Sequence, residues 1–211
     1  KIIKQKNKYK IVVNVNKKKK LFFVKSIFEN NLRNILAAIA VISIFKNIKK
    51  LNKNIFYKFK IPNGRGDISK IKYKKKIINF IDESYNANPL SMKEAISNIN
   101  SYKRRNNLQK LVLLGDMLEL GKKSKKFHKE LSAVINRTDI DKVFVYGKYI
   151  KETYKSLSLK KKGRIFKNLK EAYNHLGKII HNNDLLMIKG SNATGLNQFS
   201  KNIKKDQIRA L

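Results

Sequence analysis

The sequence predicts an α/β protein whose larger part is a doubly wound, mostly parallel sheet. Three observations predict it. Apolar runs such as Lys110–Gly115 ("KLVLLG") and Asp184–Gly190 ("DLLMIKG") lack polar alternation, as strands covered on both faces do. From Lys76 onward each such run precedes a segment with helical spacing, the βα order of a parallel sheet. Polar motifs follow the runs directly, at the carboxyl ends of strands where open α/β sheets bind ligands.

Taken in order, Tyr9–Val15 and Lys20–Ser26 read as strands around a lysine-rich turn. In "NNLRNILAAIAVISIFKNIKK", Leu32, Ile35, Leu36, Ile39, Ile42 and Ile44 approximate one helical face, and Ala37, Ala38 and Ala40 permit close packing. "IPNGRGD" (Ile61–Asp67) breaks the pattern with Pro and two Gly, which marks a loop and a domain boundary between 1–60 and 61–211. Strands are then expected at Lys76–Asp82, Lys110–Gly115, Lys142–Gly147, Arg164–Phe166 and Asp184–Gly190. Helices are expected over Ser91–Arg104, Ser124–Asn136, Lys148–Leu157 and Leu169–His181, with a last helix after Gly190 to about Lys204. No internal repeat is visible.

With 42% hydrophobic residues the chain can bury a real core. Its 50 Lys+Arg against 14 Asp+Glu give a formal charge of +36, a field that attracts polyanions. The plainer source of this charge is an A/T-rich coding bias, since Lys, Asn and Ile abound together while Arg, Gly, Ala and Pro are scarce. The lysines are spread along the whole chain, and no RNA- or DNA-binding signature appears, so no specific nucleic-acid partner is expected. Without cysteine there are no disulfides or thiolate metal sites. The longest uncharged apolar run, Ile35–Phe45, is about half of what a bilayer span needs. No signal peptide is visible.

Three strand ends carry unusual chemistry. The first is "DESYNANP" (Asp82–Pro89). Asp82 and Glu83 can accept hydrogen bonds from ribose hydroxyls, Tyr85 can lie against a base, and Asn86 and Asn88 both donate and accept. Ser91, with Glu94 at capping-box spacing, reads as a helix cap. The second is "GDMLELG" (Gly115–Gly121), with Asp116 and Glu119 and with His128 beyond; a lone Asp after a strand is commonly a cap, and a single helical His is more often packed or solvated than functional. The third is "KGSNATG" (Lys189–Gly195), where Lys189 and Ser191 sit near a helix start that favours an anion.

Together Gly64-Arg65, Asp82 through Met92, Leu114 through Gly121, His128 and Lys189 through Ser191 resemble the C-terminal domain of the Mur ligase family, a Rossmann-like fold. The closest resemblance is to the branch that adds D-alanyl-D-alanine to UDP-N-acetylmuramoyl-tripeptide. Upstream, "NNLRNILAAIAV" resembles the "HNxxNxLAAxA" helix near the end of the family's central ATPase domain, with Asn30 where the family has His. The resemblance implies an ATP-dependent, magnesium-requiring, cytoplasmic and monomeric ligase of peptidoglycan synthesis, serving cell shape and division through an acyl phosphate. It implies that Asn34 contacts adenine and that Arg65 and one acid of the Asp82–Glu83 pair hold the ribose. Tyr85, Asn86 and Asn88 would line the nucleotide side of the cleft. Asp116, Glu119, His128, Lys189 and Ser191 would lie on the substrate side.

No G-x-x-G-K-[ST] phosphate loop occurs in the chain, and the resemblance puts the magnesium ligands upstream, so no metal ligand is expected here. The chain begins with Lys1. The expectation is a fragment of a longer ligase or the product of a shortened gene, inactive alone, with residues 1–60 as the tail of the ATPase domain. The alternatives are a basic nucleic-acid-binding protein and a non-catalytic remnant.

Overall fold

The computed structural model describes residues 2–5, 8–24, 29–57, 64–104 and 108–205. The chain divides into two compact units, residues 1–60 and 61–211. Residues 61–63 of the expected boundary loop, and Lys25 and Ser26 of the second expected strand, lie outside the described residues.

The first unit is an antiparallel sheet of β1 (Ile2–Gln5), β2 (Lys8–Val15) and β3 (Lys18–Val24), followed by helix α1 (Glu29–Phe45). Asn16 and Lys17 join β2 to β3 with both residues left-handed, φ 50° and 61°, the two-residue hairpin geometry that matches strand twist. Alternate residues Ile11 and Val13 of β2 and Phe22 and Val24 of β3 pack with Ile35 and Ile39 of α1. The helix ends at Phe45, just past the apolar face that runs to Ile44. Asn47 takes the backbone N–H of Lys49 with its side chain and starts a separate 3-10 turn, Ile48–Lys50, an example of a short polar side chain competing with the helix ladder.

The second unit is a six-stranded sheet. Its strands are β4 (Asp67–Tyr73), β5 (Lys76–Glu83), β6 (Lys110–Gly115), β7 (Lys142–Tyr146), β8 (Lys162–Phe166) and β9 (Leu185–Lys189), in the order β4-β5-β9-β6-β7-β8. All neighbours are parallel except the β4/β5 hairpin. The helices are α2 (Pro89–Asn98), α3 (Ser124–Asn136), the single-turn α4 (Lys151–Lys155), α5 (Leu169–Ile179) and α6 (Leu196–Lys204).

Alternation within the strands supplies two cores. Val112, Leu114, Val143, Val145 and Met187 face one way and meet Met92 and Ile96 of α2 and Leu131 and Ile135 of α3. Leu111, Leu113, Phe144, Leu186 and Ile188 face the other way and meet Leu176 of α5 and Phe199 and Ile203 of α6. Burial on both faces is why these strands read as unbroken apolar runs. Strand β4 escaped the sequence reading for the opposite reason. As the sheet edge it alternates Lys with apolar residues in "DISKIKY", the pattern of an edge that discourages further pairing.

Strand β9 returns between β5 and β6. Helices α2 and α3 leave on one face and α6 on the other, which opens a crevice at the carboxyl end of β9, the expected ligand position in such sheets.

Lys74 and Lys75 turn the β4–β5 hairpin with φ 47° and 67°. A left-handed L-residue costs about 1–2 kcal/mol, and a Gly costs about 0.4–1 kcal/mol in unfolded-state entropy. Lys75→Gly is therefore expected to stabilise the protein by up to about 1 kcal/mol, seen as a higher urea midpoint at unchanged slope. A lower midpoint would show that the Lys75 side chain contributes to the turn.

Candidate functional site

The loops after β5, β6 and β9 are stitched together at Ser191. Its backbone N–H donates to Asp116 O at 3.0 Å. Its Oγ accepts from the Leu118 N–H at 3.0 Å and donates to Ala87 O at 3.3 Å. One buried serine thus touches all three loops, and its hydroxyl is spent on the protein itself.

Asp116 begins the β6 loop, and its carboxylate accepts the backbone N–H groups of Lys148, Tyr149 and Ile150 at 2.8, 2.9 and 2.7 Å. These three consecutive amides follow β7 and form a nest of the kind that binds anions; Asp116 already fills it. A side chain at Gly147 would collide with this carboxylate, since a Cβ there would lie 2.6 Å from Asp116 Cγ. His128 is fully buried. Its Nε2 accepts the Met117 N–H at 2.9 Å, and its Nδ1 lies 2.7 Å from Ser124 O, which fixes the Nδ1–H tautomer. Asp116 and His128, both expected on the substrate side, commit these atoms to backbone groups and act as ties that shape the loops.

Asp82 and Glu83 end β5 and, as neighbours on a strand, face opposite ways. Asp82 is 1% exposed. It accepts from Ser84 N at 3.2 Å and Ser84 Oγ at 2.5 Å, and its other oxygen lies 3.0 Å from Lys204 Nζ on α6. Glu83 pairs in register with Lys189 of β9, and their charged atoms are 3.3 Å apart. Lys189 Nζ also donates to Asn86 O at 3.1 Å. Burial pushes the Glu83 carboxyl up, against the pull of Lys189, and burial pushes the Lys189 ammonium down, against Glu83. Both acids are thus engaged within the protein, Asp82 by the α6 side and Glu83 by its strand neighbour.

Beside them, Gly64 O accepts the Tyr85 N–H at 3.0 Å, and the Gly66 N–H donates to Asp82 O at 2.8 Å. Gly64 and Gly66 are left-handed (φ 80° and 82°), and a Cβ on Gly66 would come 2.8 Å from Glu83 Oε1, so the Gly-Arg-Gly turn lies flat on the motif. Arg65 stacks its guanidinium 4.3 Å from the Tyr85 ring centroid. Both side chains are exposed, Tyr85 at 44%, and together they make a planar cationic platform.

Asn88, expected on the nucleotide side, is the N-cap of α2. Its Oδ1 accepts Ser91 N–H at 2.8 Å, and Ser91 Oγ accepts Asn88 N–H at 3.1 Å. The cap expected at Ser91 is thus displaced by one turn, because Pro89 needs no N–H partner and starts the helix earlier. Asn86 Oδ1 accepts the Ala87 N–H at 2.8 Å. Asn34 lies in the first unit, exposed on α1.

Two open clefts lie over these loops. One, of about 580 Å³, is lined by Tyr85, Asn86, Asn88, Glu119, Ser191, Asn192 and intervening apolar residues. The other, of about 680 Å³, is lined by Tyr146, Lys148, Lys151, Phe166 and Lys167 with the rim of Asp116. The residues of the second cleft were missed in the sequence, although they follow the β7 and β8 ends and the strand-end rule points to them. Among the described residues no three His, Asp or Glu side chains converge on a metal site.

The chain is similar to several known proteins. The family described as Mur ligase, glutamate ligase domain, matches residues 69–192. The UDP-N-acetylmuramoyl-tripeptide–D-alanyl-D-alanine ligase of Rickettsia prowazekii is 31% identical over 176 residues, 83% of this chain and 37% of that protein. The ligase of the same name from Bacillus subtilis is 38% identical over 127 residues, 60% of this chain and 27% of that protein. Among solved structures, MurF ligase from Thermotoga maritima in complex with ADP superposes with a TM-score of 0.73 at 20% identity, over 98% of this chain and 46% of that one. MurF from Acinetobacter baumannii gives 0.75 at 20% identity, over 97% and 44%. The chain thus spans between about a quarter and two fifths of these curated relatives.

Asp116→Ala strands three amides and is expected to cost about 3 kcal/mol, measured by urea unfolding; a loss under about 1 kcal/mol would mean that water replaces the carboxylate. For Glu83, a folded pKa raised above 4.5 means a contribution that is full below that value and is lost as pH rises through the raised one. Parent stability minus that of Glu83→Gln should therefore fall over the pH window that opens at 4.5 and runs upward. A rise over that window would show that pairing with Lys189 outweighs burial.

Proposed function

The chain belongs to the Mur ligase family, and we propose that it forms the C-terminal part of an ATP-dependent ligase joining D-alanyl-D-alanine to UDP-N-acetylmuramoyl-tripeptide. The product is a precursor of cell-wall peptidoglycan, which ties the enzyme to cell shape and division. The observation that carries the reading is the convergence of the β5, β6 and β9 loops on one crevice in a chain whose relatives bear that name. In this reading the enzyme is a cytoplasmic monomer, residues 61–211 are the C-terminal domain, and residues 1–60 are the tail of the ATPase domain. Exposed Leu36, Val41, Ile44 and Phe45 on α1 support the last point, since such a face suits a helix covered by more protein. Among the described residues no helix is long and apolar enough to cross a membrane.

When bound, ATP supplies the phosphoryl group that activates the carboxylate of the tripeptide. The Arg65–Tyr85 platform fits its nucleoside, with a cation and a ring face both open to solvent. Glu83 is the acid better suited to ribose, because Asp82 is closed off by Ser84 and Lys204. Lys189 steadies Glu83 and Asn86, Ser191 locks the three loops together, and Asp116 and His128 hold the β6 loop in shape. A domain so braced can close as one body and exclude water from the activated carboxylate. The relatives compared above are named as ligases.

Residues 61–211 grafted in place of the matching domain of the Bacillus subtilis relative should support phosphate release that requires ATP, the UDP-linked tripeptide and the dipeptide together. The 211-residue chain alone should release none. In the graft, Arg65→Ala is expected to raise the KM for ATP roughly tenfold, the value of one charge-assisted contact. Turnover by the chain alone, or release by a folded graft that ignores the dipeptide, would overturn the reading.

A further inference from the structure

The lysines run the length of the chain, but the acids do not. Residues 1–60, the first compact unit, hold 17 Lys and Arg and a single acid, Glu29. Glu29 opens α1. At the other end of that helix, about 24 Å away at 1.5 Å per residue, six lysines collect. Lys17, Lys18 and Lys19 stand at the tip of the β2–β3 hairpin, Lys46, Lys49 and Lys50 follow α1, and all six are exposed. Two contacts join the tip to the helix end. Lys18 and Lys46 line one cavity of about 220 Å³ with Asn16 and Asn47, and Lys20 Nζ donates to Lys49 O at 2.8 Å.

Local folding does not ask for this charge. Lys46 alone follows α1 closely enough to answer its dipole. At the tip, Lys17 stands on left-handed backbone, φ 61°, where Gly or Asn sits at lower cost. Among the described residues none of the six pairs with a carboxylate. The lysines of α3 differ, because acids stand among them. Glu130 lies 3.2 Å from Lys93, and Glu152 pairs with Lys155 at 2.8 Å within the field of Lys125 and Lys129.

Exposed lysines in this number, with no acid in their own unit nearer than the far end of α1, form an array of the size that holds an anionic membrane surface. The choice of lysine favours a lipid surface over nucleic acid. An ammonium is a compact point charge that suits a surface without fixed geometry, whereas recognition of phosphates and base edges draws on the planar fork of Arg. Arg33 is the one Arg in residues 1–60, and it stands on α1, more than three turns before Lys46.

We propose that this end of the first unit docks on an anionic lipid bilayer, with Lys17, Lys18, Lys19, Lys46, Lys49 and Lys50 facing the headgroups. The contact is peripheral and is reversed by salt. It goes beyond the ligase reading and does not depend on it.

The test sediments the 211-residue chain with vesicles of phosphatidylcholine alone and of an equimolar mixture of phosphatidylcholine and phosphatidylglycerol. At about 0.1 M salt the mixed vesicles should bind at least about tenfold more tightly, and at about 1 M, where the Debye length is about 3 Å, the difference should vanish. The variant K17Q/K18Q/K19Q/K46Q/K49Q/K50Q should bind mixed vesicles about a hundredfold more weakly. The hairpin triple K17Q/K18Q/K19Q, which leaves the helix end untouched, should lose about tenfold. Removing as many exposed lysines from the second unit, K122Q/K123Q/K125Q/K126Q/K129Q/K160Q, should cost less than the triple. All three variants should keep the parent's unfolding midpoint, since every altered side chain is exposed. Equal binding to neutral vesicles overturns the proposal in favour of the apolar face of α1. Equal loss in the two sixfold variants overturns it in favour of net charge, and absence of binding to either vesicle overturns it outright. So does polyuridylate that binds the parent in about 1 M salt and is lost with the first variant, which would make the array a nucleic-acid site.

Discussion

The Asp116 carboxylate holds the open end of the sheet in shape. Parallel strands leave their loops at one edge with many unpaired N–H groups, and the turn after β7 presents three of them in a row. Left unfilled, that nest would bind a solvent anion or distort the turn. Filled from the next strand, it fixes the β6 loop to the β7 loop. The Asp116 carbonyl then receives Ser191 N–H, which brings in the β9 loop, and Ser191 Oγ reaches Ala87 in the β5 loop. His128 completes the frame from α3 through Met117 N–H. The crevice therefore depends on a carboxylate that itself has no room for a ligand.

This frame changes what a polar motif means. Asp82, Asp116, His128, Asn88 and Ser191 all carry chemistry that could serve a substrate, and each spends it on backbone or on another side chain. An unpaired polar group costs more when buried than a hydrogen bond returns when made, so loops packed this closely consume their own polar atoms first. The groups with capacity to spare are the exposed ones: Arg65 on Tyr85, the amide NH2 of Asn86 and the carboxylate of Glu119. Glu83 and Lys189 stand between. Each is buried enough to resist its charge, and each is held by the other.

The parallel sheet was legible because burial on both faces leaves an unmistakable run of apolar residues, as in Lys110–Gly115 and Leu185–Lys189. Strand β4 was not, because an edge strand with one wet face alternates and its lysines look like turn. The loops of the candidate site were legible as places, since motif and strand end coincide at Asp82, Asp116 and Lys189. The roles of single residues were less so. Nothing in "GDMLELG" says that Asp116 bends toward amides more than thirty residues on (|i−j| of 32 to 34), or that Lys204 would close off Asp82. Such partners are set by strand order, and β9 inserting between β5 and β6 is a tertiary fact.

Strand order also bears on the acid at position 119. The packing explains why lysine is absent at three other positions of the cleft that Glu119 lines. At Ser191 an ammonium would be buried among three loops, at Asn88 the helix cap would be lost, and Ala87 has no space around it (4% exposed). None of these arguments reaches Glu119, whose side chain is in solvent. Nor does its backbone demand an acid, since Lys17, Lys74 and Lys75 occupy the same left-handed region. In a chain that fills exposed turns with lysine, the fold would accept lysine here at equal conformational cost. Only its charge distinguishes Glu119 from that alternative, and the effect of the charge falls on whatever enters the cleft it lines.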